Sequence, residues 1–217
     1  MNILEERHVK MPPVFRYLPQ KYIDEFFSSG KLRLSAFSEF AKHTDEQRHD
    51  TEEGWLIVNV PIPARHLRLR SRAGVGRDAY ILSTSLRGDS ELMQVFGTDG
   101  YFKINEVERF GLAVVSRIAN CAGLIAGNCT YVDEKEISRE MGVAAERAIA
   151  QDEQGKMNLQ RVVGLIEQVL LPHAYFWKLR RYAHQQEFRF IWQVGHEVHE
   201  PLFVECPEAV QFCERIM

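Results

Sequence analysis

The sequence predicts an α+β fold, and three observations carry the prediction. Apolar residues alternate with polar ones in short runs: Leu32, Leu34 and Ala36; Leu56, Val58 and Val60; Phe188, Phe190 and Trp192. Elsewhere they recur at helical spacing, as in Tyr22, Ile23, Phe26 and Phe27, and again from Leu159 to Leu171. The two kinds of segment follow one another without a repeating strand–helix unit, so the pattern is α+β and not alternating α/β. A chain of 217 residues buries roughly 70% of its unfolded surface on folding. One domain with a full core is therefore expected, with an irregular lead-in over 1–14 and a helical insertion or embellishment over 134–171.

Taken in order, the lead-in ends at Pro12 and Pro13, and Phe15, Arg16 and Tyr17 form a short strand stopped by Pro19. The helix around Tyr22 to Phe27 finds its stop in Gly30. A strand through Leu32, Leu34 and Ala36 follows, then a short helix holding Phe37 and Phe40. Residues 43–54 are nearly all polar and read as a surface loop, long enough to suspect function as well as solvation. The strand through Leu56, Val58 and Val60 is stopped by Pro61 and Pro63. Arg65, Arg68, Arg70, Arg72 and Arg77 then interleave with Leu67 and Leu69, the pattern of an edge strand or hairpin arm.

Tyr80 to Ser85 is a strand that turns polar at its end. A helix capped by Asp89 or Ser90 carries Leu92, Met93, Val95 and Phe96, ends at Gly97 and Gly100, and leads to a strand over Tyr101 to Ile104. Residues 106–126 are apolar and predict a helix at least through Ile118. Cys129 to Val132 fits a strand, 134–150 and 159–171 fit helices, and Gln151 to Met157 is the candidate hinge between them. An aromatic-faced strand passes through Trp192, Leu202 to Val204 makes a last strand, and Pro207 opens a final helix to Met217.

Charged residues make up 26% of the chain and hydrophobic residues 45%, which excludes disordered, collagen-like and coiled-coil classes. A formal net charge of −3 excludes a uniformly basic nucleic-acid coat protein and leaves room for a local basic patch. Cys121, Cys129, Cys206 and Cys213 include no C-x-x-C pair, so no structural zinc or other metal is expected, and reduced thiols in the cytoplasm are the default. Apolar runs fall far short of the roughly 20 residues of a membrane span. Glu5, Glu6 and His8 interrupt any leader-like pattern at the start.

Three constellations can carry chemistry. On a strand, side chains alternate faces, so Gln185, Glu187 and Arg189 would share one face and Phe188, Phe190 and Trp192 the other. A carboxylate held beside an amide and a guanidinium can stabilise a cationic sugar, as glycosyl transfer requires. The bland alternative is a surface Glu187–Arg189 ion pair of small value. Ser83-Thr84-Ser85 ends a strand, where Ser83 and Ser85 can hydrogen-bond a ribose or hold the glutamate; a strand running into a polar turn looks the same. Arg16 offers a planar fork for phosphate oxygens and Tyr17 a stacking face, against the plainer reading of a half-exposed strand residue beside a core tyrosine. Asp45, Asp50, Glu52 and Glu53 lack the regular ligand spacing of a calcium loop, and Gly74-Val75-Gly76 lacks the third glycine of a dinucleotide fingerprint.

Together, a first-strand arginine (Arg16), a strand ending S-T-S (Ser83 to Ser85) and a late Q-x-E (Gln185 to Glu187) resemble the R-S-E class of ADP-ribosyltransferases, in the class order. The chain is also similar, over roughly residues 15–192, to a large bacterial family of uncharacterised domains. The shared marks are Leu32 to Ser35 with Phe37, a polar acidic loop, a strand-end serine before Leu92-Met93, and a terminal Trp177…Glu187-x-Arg189. The resemblance implies a split, curved two-sheet core with surrounding helices and NAD in the cleft between the sheets, as a substrate, with no metal. It assigns Arg16 to the phosphate or ribose side of NAD, Ser83 to ordering the site, and Glu187 to the nicotinamide-ribose hydroxyl. Gln185 takes the position that helps choose the acceptor, and Tyr17 and Ser85 fall beside the cofactor.

The function expected from this resemblance is NAD-dependent ADP-ribosyl transfer, by a cytoplasmic toxin or anti-phage effector with a neutralising antitoxin as a possible partner. Basic residues, Arg68 and Arg70 in one cluster and Arg180 and Arg181 in another, allow a nucleic-acid acceptor, RNA first, and a protein acceptor is equally compatible. Two other classes stay open: a non-catalytic nucleic-acid- or protein-binding module on the same fold, and an NAD glycohydrolase with water as acceptor.

Overall fold

The computed structural model describes residues 11–42, 53–62, 66–74, 76–138 and 174–216. In chain order its strands and helices begin with β1 (Val14–Leu18), α1 (Gln20–Ser29), β2 (Lys31–Ala36), a 3-10 turn (Phe37–Lys42), β3 (Trp55–Ile62) and β4 (Leu67–Gly74). Next come β5 (Ala79–Ser85), α2 (Ser90–Val95), β6 (Gly100–Ile104), α3 (Val107–Val115), β7 (Cys121–Asn128), β8 (Thr130–Val132) and β9 (Glu136–Ser138). The last group is β10 (Trp177–Leu179), a 3-10 helix (Arg180–Gln185), β11 (Glu187–Val194), β12 (Leu202–Glu205), α4 (Pro207–Val210) and β13 (Cys213–Arg215). Sheets and helices mix as an α+β fold requires.

Strand β5 is the hub. Along one edge it pairs antiparallel with β11 from Ala79↔Gln193 to Ser85↔Glu187, and β7 extends that side. Along the other edge it meets two different strands. Near its start β2 pairs at Ser35↔Ile81 and Ala36↔Tyr80, with β12 beyond. At its end β1 pairs at Phe15↔Ser85, with β6 and then β13 beyond. The sheet therefore forks beside Leu82 to Thr84, where β2 has left and β1 has not yet joined. Two smaller sheets sit apart from it: β4-β3-β9, and the parallel pair β8–β10.

The period-two alternation of β11 decides what each face becomes. Phe188, Phe190 and Trp192 are buried in the main core with Phe26, Phe102 and Phe110. The Phe190 and Trp192 rings stack at 5.7 Å, and the indole Nε1 donates to the Gly111 carbonyl at 3.1 Å, so the one polar atom of this face is satisfied. The opposite face begins apolar, with Ala79, Ile81 and Ile191 packed on Phe37 and Tyr175. Toward the fork it turns polar through Ser83, Ser85, Arg189 and Glu187.

Gly30 ends α1 as its sequence position predicts, with φ of 74° and its N–H bonded to the Phe26 carbonyl at 2.7 Å. A Cβ there would fall 2.2 Å from the Cys206 carbonyl carbon. Gly30→Ala is therefore expected to lower stability by more than about 2 kcal/mol, from left-handed strain and backbone overlap together. Urea unfolding measures it, and a loss below about 0.5 kcal/mol would contradict this packing.

Several sequence expectations need correction. Residues 106–126 are not one helix: α3 stops at Val115, Asn120 turns the chain at φ of 56°, and Cys121–Asn128 becomes the outer partner of β11. Tertiary pairing there overrides an apolar run that reads equally as helix or strand. The C-terminal run is not a helix to Met217, because α4 lasts one turn and β13 returns to pair with β6 at Cys213↔Ile104. Gln185 is not on the aromatic strand: it ends the preceding 3-10 helix, and Gln186 turns the chain at φ of 42° before β11 starts. Within 134–171, Glu136–Ser138 is a strand parallel to β3. The stretches 43–52 and 139–173, with the second helical segment and the hinge, lie outside the described residues, as does Arg65.

Candidate functional site

A cavity of about 150 Å³ opens at the fork. Strand β1 contributes Arg16 and Tyr17 to its lining, β2 contributes Arg33 and Ser35, β5 contributes Ser83 and Thr84, and the segment before and into β11 contributes Lys178, Gln185 and Glu187. Glu53, the residue that leads into β3, closes one side. Each comes from an element that the fork places there. The 3-10 turn of Gln185 and the left-handed Gln186 aim the start of β11 into the gap.

Glu187 is the centre of a buried charge network. Its Oε1 accepts from Arg189 Nε at 2.7 Å, and its Oε2 accepts from Lys178 Nζ. Lys178 Nζ also donates to Gln185 Oε1 at 2.8 Å. Arg189 Nη1 donates to Glu53 Oε1 and to the Tyr175 carbonyl, both at 2.7 Å, and Lys135 Nζ lies 3.9 Å from Glu53 Oε2. Side-chain exposure is 0% for Arg189, 1% for Glu53, 5% for Glu187 and 8% for Lys178, so this is no surface ion pair. Two carboxylates and two cations form its core, and every charge has an opposite neighbour, as burial demands.

Burial alone would raise the Glu187 carboxyl above its ordinary value, but the charges of Arg189 and then Lys178, with their hydrogen bonds, outweigh it and hold the group well below 4.5. The Tyr131 hydroxyl accepts from the Glu187 N–H at 2.7 Å, and burial pushes that phenol far above its ordinary value of 10.0. Below pH 4.5 an unfolded Glu187 binds a proton that the folded one refuses, so the unfolded state gains stability as pH falls. Urea unfolding between pH 5 and 3, as a difference between wild type and Glu187→Gln, is expected to narrow steadily toward acid. A difference that does not change with pH would contradict the depressed carboxyl.

The other predicted residues separate into groups. Arg16 Nη1 donates to the Ser83 carbonyl at 2.6 Å, which ties β1 to β5 across the fork. The Ser83 hydroxyl is buried and has no hydrogen-bond partner among the described residues. The same holds for Nη2 of Arg189, its cross-strand neighbour. Buried orphans of this kind are uncommon; of the two residues, Ser83 lines the cavity and Arg189 lies behind it. Tyr17 lines the cavity, but its hydroxyl is spent on the segment leading into α2, accepting from Asp89 N–H and donating to the Arg87 carbonyl, both at 2.9 Å. Burial pushes that phenol up to about 12. Ser85 is away from the lining: its hydroxyl donates to the Gln185 carbonyl at 2.7 Å and accepts from Arg87 N–H at 2.9 Å, which positions the turn into Glu187.

Arg68 and Arg70 are exposed on β4, outside the lining. Arg180 is also exposed and forks onto Asp133 at 2.6 and 3.2 Å, and Arg181 lies over the Tyr182 ring. Sequence reasoning missed the roles of Lys178 and Glu53. Lys178 opens the basic run Lys178-Leu179-Arg180-Arg181, which reads as an exposed acceptor-binding cluster and gives no sign of a buried ion pair. Glu53 carried none, because its partner Arg189 is 136 positions away; the acidic loop ends in a buried carboxylate where surface was expected.

Among the described residues no group of three His, Cys, Asp or Glu side chains is placed to hold a metal ion, and no helix is long and apolar enough to cross a membrane. All four cysteines are unpaired. Fold and site together define an α+β protein with a buried carboxylate–guanidinium–ammonium network at the fork of a sheet. The chain matches no protein-family model, no curated protein and no solved structure.

Proposed function

We propose that the chain is an NAD-dependent ADP-ribosyltransferase of the R-S-E type, working in the cytoplasm as a bacterial toxin or anti-phage effector on a macromolecular acceptor. The observation that supports this most is convergence: Arg16, Ser83 and Glu187, drawn from three distant stretches, line one cavity at the fork. Its volume of about 150 Å³ is below the roughly 300 Å³ of ordinary ligand pockets. It suits the nicotinamide-ribose end of a dinucleotide, with the rest extending outward past Arg16 and Arg33.

In this reading the C1′–N bond of the nicotinamide ribose breaks and nicotinamide leaves with the electron pair. The ionised Glu187 lowers the energy of the ribosyl cation, the acceptor's nucleophile forms the new bond to C1′, and its proton passes to solvent. Ser83, which lines the cavity, offers its Oγ as a hydrogen-bonding group to the bound ligand. A second reading, a binding module on the same fold, has one observation in its favour: both oxygens of Glu187 already hold cations, as in a purely structural network. With water as acceptor the same site would be a glycohydrolase.

The deciding assay is nicotinamide release from labelled NAD, with RNA, single-stranded DNA or lysate protein supplied separately. Transfer of label to one acceptor, lost in Glu187→Gln, is the expected result. Release without transfer indicates the glycohydrolase. No release from folded protein with any acceptor overturns the enzymatic reading and leaves the binding module.

A further inference from the structure

We propose that the β3–β4 hairpin is a docking surface for single-stranded nucleic acid, built on Arg68, Arg70, Arg72 and Arg77 with Trp55. Strand β4 is an edge of its sheet among the described residues, and Arg68, Arg70 and Arg72 are all exposed. Their spacing of two residues puts them on one face at intervals of roughly 6.6 Å. Such a row is matched by a polymer with regularly repeated anionic groups. The cations are all arginines, whose planar forks bind phosphate oxygens in pairs.

At the far end of the row the Arg72 guanidinium lies 4.2 Å from the Trp55 ring centroid, and Arg77 lies 5.4 Å from it. A guanidinium over an indole ring makes a platform against which an unpaired base can stack. A duplex hides its base faces, so the platform selects single strands. The chain's net charge of −3 makes the row a local feature and not part of a general basicity. Among the described residues one acid opposes it: Glu136 Oε2 lies 3.3 Å from Arg70 Nη2.

The hairpin is also coupled to the cavity. Glu53 sits two residues before Trp55, lines the cavity and holds Arg189. A strand lying along β4 and over Trp55 therefore leads toward the fork. Its use as the acceptor rests on the transferase reading; its binding does not.

The test uses the full chain without NAD and a labelled 20-nucleotide single strand of mixed sequence, as RNA and as DNA, followed by fluorescence anisotropy at rising salt. Wild type is expected to bind either strand at 50 mM salt, and better than a duplex of equal length. The Arg68→Gln/Arg70→Gln/Arg72→Gln variant is expected to bind at least tenfold more weakly. Its slope of log affinity against log salt should shrink by about 2, three phosphate contacts at about 0.7 each. If the triple variant fails to fold, Arg68→Gln alone should reduce the slope by about 0.7. Absence of binding at 50 mM salt, an unchanged slope in the folded variant, or binding of a polyglutamate peptide in place of the strands overturns the proposal. Nicotinamide release without strand binding would sink this surface and keep the enzyme, and strand binding without release would do the reverse.

Discussion

Replacing Arg189 with methionine is expected to destabilise the protein by about 3–5 kcal/mol, the cost of breaking a buried ion network by deleting one member. Methionine fills most of the space, so little of this comes from a cavity. The cost comes from what is left behind. Glu187 keeps Lys178, but Glu53 keeps only the more distant Lys135, at 3.9 Å, and the Tyr175 carbonyl loses a donor at 2.7 Å. Arg189→Lys is not expected to rescue it, because one ammonium cannot reach Glu53, Glu187 and the Tyr175 carbonyl in the directions of a planar fork. Adding Glu53→Gln to Arg189→Met should return part of the loss, since it removes the stranded charge; urea unfolding of the cycle measures the coupling. A loss below about 1 kcal/mol for Arg189→Met would show that the network is neither dry nor paired as described.

Glu187→Gln is expected to reduce nicotinamide release by about 10²–10³-fold, the scale of removing one electrostatic contact to a developing charge. The substitution keeps a hydrogen-bonding oxygen for one cation and removes the charge the ribosyl cation needs. It also weakens the fold, so activity alone would not separate chemistry from stability. Ser83→Ala provides the separation. Its hydroxyl bonds to no described residue, so losing it should change stability by less than about 0.5 kcal/mol. If the hydroxyl serves a bound dinucleotide, Ser83→Ala should still lower kcat/KM for NAD about tenfold. A fully active, equally stable Ser83→Ala would remove Ser83 from the site. A loss of activity in Glu187→Gln that merely tracks the fraction unfolded would remove Glu187 from the chemistry.

Much of the scaffold was legible in local pattern. The strands of Arg16-Tyr17, Leu32 to Ala36 and Tyr80 to Ser85, the cap at Asp89 and the stop at Gly30 all follow from residue type and spacing within a few positions. So does the aromatic face of β11. The failures share a cause. The run 106–126 is apolar under either period, and only the need of β11 for an outer partner made its second half a strand. The C-terminal segment has helix-start chemistry at Pro207, yet the free edge of β6 recruits Cys213–Arg215.

The candidate site divides along the same line. Alternation along one strand was enough to put Glu187 and Arg189 on a common face opposite Phe188 and Phe190, because that geometry is local. The sequence by itself could not say whether that face was wet or dry. Its dryness comes from Glu53, Lys178 and Tyr175, which the chain delivers from other segments. Burial turns an ordinary ion pair into a network in which each charge depends on the next. Likewise, Ser83 and Ser85 look equivalent two residues apart, and tertiary structure alone separated them. The fork leaves the Ser83 hydroxyl without a partner among the described residues, while the turn at Gln185 consumes Ser85. Periodicity is written residue by residue. Desolvation depends on everything that packs around a group, and that is settled only when the whole chain has folded.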